Sequence, residues 1–95
     1  MKFLITWKIS EDKFVPVLNM FSSMTPAQRK DAGEGVEIVC RYHDVVARSG
    51  VAILEAKDVK AVQRYALRWN PHMELTIAPV LEDEDAVSVY KSILT

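Results

Sequence analysis

Two histidines, one cysteine and a set of separated charges make up the reactive inventory of this chain. The arrangement around His43 is the one that could do chemistry. Arg41 and His43 stand two residues apart in an alternating segment, so on an extended strand they share a face roughly 7 Å apart. A neutral imidazole beside a cation can serve as a general base with a lowered pKa, or bind an anion jointly with the arginine. The plainer alternative is a histidine at a strand end that bonds to backbone or meets a partner subunit. Asp44 does not orient His43 easily, because strand neighbours point to opposite faces. Arg41 with Lys8 would concentrate positive charge for a carboxylate or enolate. The competing role for both is ion pairing with Glu37 and Glu74 across a dimer.

Other chemistries are poorly supplied. Cys40 has no cysteine to pair with and no basic neighbour on its own side of the strand to activate it, so neither a disulfide nor a nucleophile is expected. His72 follows Pro71 far from His43, leaving no metal-ligand cluster, and no cofactor motif is present. With 12 Lys+Arg against 13 Asp+Glu the net charge is −1, which argues against nucleic acid as the main partner. The stretch before Lys8 is too short for a signal peptide or a membrane span, so a cytoplasmic protein is expected. At 95 residues, 49% hydrophobic and 26% charged, residues 1–95 should form a single folded domain.

These side chains must be positioned by the elements around them. Phe3, Ile5, Trp7 and Ile9 alternate with Leu4, Thr6 and Lys8, predicting a first strand. Phe14, Val17, Leu18, Phe21 and Met24 recur at helical spacing, and Thr25-Pro26-Ala27-Gln28 reads as a fresh helix start with a capping box. Gly33 and Gly35 end that helix. Val36–Asp44 alternates again, turns through Arg48-Ser49-Gly50 and returns through Val51–Ala56 as a hairpin. Asp58 caps a second helix that carries Val62, Ala66 and Trp69 and stops at Asn70-Pro71. Met73–Leu81 is a fourth strand, and the acidic run Glu82–Asp85 opens a third amphipathic helix.

Strand, helix, strand, strand, helix, strand is the ferredoxin-like βαββαβ order, an α+β sandwich with a four-stranded antiparallel sheet in the order 4-1-3-2, here followed by a C-terminal helix. Strict alternation assigns Phe3, Ile5, Trp7, Cys40, Ile53 and Ile77 to the helix-covered face. It assigns Thr6, Lys8, Arg41, His43, Ala52, Leu54 and Ala56 to the other. That second face is half apolar, which suggests burial against another copy around a partly polar cavity. In this order Glu74 and His43 fall on opposite edges, about 14 Å apart at roughly 4.8 Å per strand, so they make no acid–base pair within one subunit. An RNA-binding sheet would need exposed aromatics on the open face, and this reading puts none there.

Thr6-Trp7, Arg41-Tyr42-His43-Asp44, Gly50, Trp69 and Pro79-Val80-Leu81 together resemble a small bacterial family, domain of unknown function 3303, over nearly the whole chain. The family's second strand more often ends Arg-Trp-His-Asp, and Tyr42 keeps the aromatic. The resemblance implies a dimeric α/β barrel, an architecture shared with cofactor-free monooxygenases and muconolactone isomerases, but carries no activity with it. The expectation is therefore a homodimer whose open sheet faces enclose a cavity lined by Thr6, Lys8 and Arg41 as ligand-binding groups. His43 is its proton-moving group, and Ala52, Ala56 and Ala78 leave room. Its ligand would be a small anionic or oxygenated metabolite, bound or converted without a metal or cofactor. The alternative is a non-catalytic dimerisation or regulatory module.

Overall fold

Burial of alternating apolar side chains in β1 (Lys2–Lys8) sets the centre of the sheet, with Phe3 and Ile5 almost completely shielded. The computed structural model describes residues 1–94. After β1 the chain runs through α1 (Glu11–Ser23), α2 (Pro26–Lys30), β2 (Val36–Asp44), β3 (Ser49–Ala56), α3 (Val59–Trp69), β4 (Glu74–Val80) and α4 (Asp83–Leu94). The four strands form one antiparallel sheet in the order β2-β3-β1-β4, which is the expected 4-1-3-2 order read from the other edge. The fold is therefore α+β and ferredoxin-like.

Local chemistry explains the boundaries. At the α1–α2 junction the Thr25 hydroxyl accepts from the Gln28 N–H at 3.1 Å while the Gln28 side chain accepts from the Thr25 N–H at 2.8 Å, the reciprocal box read from the sequence. Asp58 caps α3 by accepting from the Lys60 N–H at 2.8 Å. Gly35 leaves α2 for β2 with a φ of 82°, a conformation that side chains with a Cβ rarely adopt. The core lies between the sheet and α3, where Val62 and Tyr65 pack on Phe3, Leu54 and Ala56.

Two of the face assignments are overturned. In β2 the register shifts between Ile38 and Cys40, a β-bulge at Val39. The extra residue reverses the parity of everything after it. Val36 and Ile38 face the helices before the bulge. Beyond it Arg41, opposite Ala52, and His43, opposite Gly50, take that side, and Cys40 and Tyr42 move to the open face, which thus carries one exposed aromatic where strict alternation puts none. In β3 the pairing of Phe3 with Leu54 and Ile5 with Ala52 turns Ala52, Leu54 and Ala56 into the core, at 5%, 0% and 4% exposure. Val51, Ile53 and Glu55 occupy the open face instead. Strands β1 and β4 keep the expected parity, with Leu75, Ile77 and Pro79 beside Trp7, Ile5 and Phe3.

Candidate functional site

The bulge divides the expected site residues between opposite sides of the sheet. Thr6 and Lys8 remain on the open face, where the Thr6 hydroxyl bonds to that of Thr76 and the Lys8 ammonium donates to the Ala47 carbonyl. Arg41 and His43 stay together on the helix side. Of the three alanines expected to leave room, Ala52 and Ala56 are buried in the core, and Ala78 lies exposed on the open face. A cavity ringed by all four polar residues therefore does not form within the chain.

A different site takes its place. Between α1 and the end of the sheet where β1 finishes lies a cleft of about 110 Å³, walled by Trp7, Phe14, Phe21, Trp69 and Leu75, with Arg41, Arg48, His43 and Asp44 as its charged and titratable groups. The apolar stripe expected on the first helix supplies one wall. Only Val17 of α1 is fully buried, so the helix roofs the sheet without sealing it. The other wall depends on Gly50. A Cβ there would run into the Trp7 indole, so glycine lets the ring lie flat across β3.

His43 sits at the rim with its ring centroid 5.5 Å from Trp7, edge to face, and 5.1 Å from Phe21. Phe21 in turn lies 6.3 Å from Trp69. Desolvation by these rings, and secondarily the Arg41 charge, hold His43 below the ordinary imidazole value of 6.5. Both effects favour the neutral imidazole, a donor and an acceptor, over the imidazolium. Asp44 caps the hairpin turn instead, accepting from the Ala47 N–H at 3.1 Å, so it does not orient the imidazole.

Arg41 is half-buried and fixed from behind. Its Nη2 donates to the Arg29 carbonyl at 2.9 Å and to the Tyr65 hydroxyl at 3.1 Å, and its guanidinium lies 5.3 Å from the Phe21 ring centre. Its Nε and Nη1 have no partner among the described residues, and no carboxylate there pairs with the group. With Nη2 engaged neither bidentate fork remains, but the open Nε–H and Nη1–H can each give a charge-assisted hydrogen bond to a single oxygen of an anion. Arg29 also lies over Phe21 at 5.7 Å, and Arg68 over Tyr65 at 5.8 Å, but both line a neighbouring pocket with Asp31 rather than the cleft itself. Among the described residues no group of three His, Cys, Asp or Glu comes together as a metal site.

Trp7, Phe21, Trp69 and Arg48 are among the cleft residues that the sequence does not assign to the site. Trp7 and Trp69 read as ordinary core. Gly50 opposite Trp7 was the available signal, since a glycine in a strand marks close approach by a neighbour.

The sheet order and the apolar cleft with its fixed arginine define a ferredoxin-like α+β protein with a small amphipathic pocket. The chain belongs to the DUF3303 family, described as "Domain of unknown function (DUF3303)", whose model matches residues 1–94. No curated protein and no solved structure shows a significant match. No helix among the described residues is long and apolar enough to cross a membrane.

Proposed function

We propose that this protein binds a small metabolite with an apolar, ring-sized body and one anionic or oxygenated head group, and that it does so as a homodimer joined through its open sheet faces. The observation that carries the reading is the apolar cleft beside Arg41, whose guanidinium is held by Arg29 and Tyr65 and keeps two donors free. The cleft's volume of about 110 Å³ is of the same order as the roughly 150 Å³ cavity known to hold a benzene ring, and its open side leaves room for a head group. Neutral His43 at the rim would bond to the head group or move a proton to or from it. The single cysteine is compatible with a reducing compartment such as the cytoplasm.

Calorimetric titration with benzoate, and with benzamide and benzyl alcohol as neutral counterparts, tests this directly. Benzoate should bind most tightly, and Arg41→Gln should abolish the preference, whereas Lys8→Ala on the opposite face should leave it intact. Equal affinity for the three probes, or dependence on Lys8 rather than Arg41, would falsify the assignment.

Two features favour the second reading, a non-catalytic association module. The open face carries Tyr42 at 68% exposure with Val39, Val51 and Ile53 around it, and no carboxylate orients His43 for catalysis. Under that reading none of the three probes binds and the protein still dimerises.

A further inference from the structure

The last helix does not belong to the body of the protein. None of the twelve residues of α4 is buried, although Val87, Tyr90, Ile93 and Leu94 form an apolar stripe at helical spacing, with Ile93 77% and Leu94 83% exposed. A helix this short is marginal in water unless its apolar face is covered. The molecule is correspondingly elongated, 52 × 28 × 20 Å, with a radius of gyration of 15.3 Å where a compact chain of this length has about 12 Å. Its accessible surface is 6832 Å², about 1,300 Å² more than a compact monomer of this mass exposes.

We infer that α4 is an arm that packs its Val87–Tyr90–Ile93–Leu94 stripe onto a second copy of this chain. The inference rests on the open-face dimer proposed above and adds a second contact to it. Three observations favour a second copy as the occupant. The excess surface is of the size one partner contributes to a stable dimer, about 800 Å² or somewhat more. The open sheet face of the same chain supplies unpartnered apolar residues, Leu4, Val51, Ile53 and Tyr42, beside which an arm would lie. Charge agrees as well. Lys2 bonds to Glu82 at 2.9 Å and to Glu55 at 3.3 Å, fixing the acidic turn that opens α4 at one end of β1, while exposed Lys8 stands at the other end. Two copies stacked with antiparallel β1 strands bring each acidic turn toward the other copy's Lys8.

Sedimentation velocity combined with hydrogen exchange on the full-length chain tests the arm. The wild type should be dimeric at micromolar concentration with slowed exchange across Ala86–Leu94. The double variant Tyr90→Glu/Ile93→Glu should weaken the dimer at least roughly tenfold, near 1.4 kcal/mol, and expose the α4 amides. Its near-UV signal from Trp7 and Trp69 should stay native, which reports that the body is folded. A second variant, Val51→Lys on the open face, should also dissociate the dimer and release the α4 amides. An unchanged dissociation constant in the double variant overturns the arm and leaves the open-face dimer standing. If Val51→Lys gives a monomer whose α4 amides remain protected, α4 packs on its own chain and the arm is likewise overturned. A wild-type monomer overturns the dimer and the arm together.

Discussion

At the scale of single residues, His43 is the group whose chemistry is most exposed to measurement. Its pKa is lowered first by the desolvating rings and then by Arg41, so its NMR titration midpoint should lie below 6.5. Arg41→Gln should move it only part of the way back, because the larger cause remains. The folded state here holds the proton less readily than the unfolded chain. Stability from this group is therefore fully present above the unfolded imidazole pKa and is lost as pH falls through the lowered folded value. Thermal melts of wild type and His43→Gln between about pH 7 and about pH 5 check the sign: the wild type should lose more on acidification. Gly50 offers a second test. Gly50→Ala pushes a methyl group into the Trp7 ring, and should lower stability by about 1–3 kcal/mol and change the near-UV signal.

At the scale of elements, the bulge at Val39 decides which side of the sheet receives the cation and the imidazole. Deleting Val39 should restore simple alternation while Cys40 stays opposite Ile53 and Arg41 opposite Ala52, so Arg41 and His43 should remain on the helix side. The measurable outcome is retention of the ring-current shifts that Trp7 and Phe21 impose on His43. Loss of those shifts would mean that the register beyond residue 39 is set elsewhere. This is also where legibility in the sequence stops. Strands, helices, caps and strand order follow from local patterns that the structure keeps, such as the Thr25–Gln28 box and the alternation of β1. The bulge leaves no such trace, because Val36, Ile38, Cys40 and Tyr42 continue an apolar alternation straight through it. In β3 the run Val51-Ala52-Ile53-Leu54 is apolar at every position, so parity there is fixed by pairing with β1 rather than by composition. The expected grouping divides for the same reason: β1 puts Thr6 and Lys8 on the open face, while the bulge carries Arg41 and His43 to the helix side.

At the scale of the whole molecule, a small core is asked to hold a chain whose last helix contributes nothing to it. Leu54, completely buried at the centre of the sheet, is the residue whose loss should be felt most, and Leu54→Ala should cost on the order of 2–5 kcal/mol in urea denaturation. If the homodimer forms, stability also depends on mass action, and the melting temperature should rise with protein concentration. A melting temperature independent of concentration would count against self-association.

The two tryptophans, Trp7 and Trp69, are all the chain possesses, and both stand in the wall of the same cleft. The protein consequently carries its own optical probe. Excited near 295 nm, where only indole absorbs appreciably, its emission should come entirely from the cleft, with no label required. Occupancy by an aromatic acid should shift or quench that emission. Protonation of His43, in edge contact with Trp7, should quench it reversibly, so one cuvette can follow both ligand and pH at the place where the chemistry is proposed.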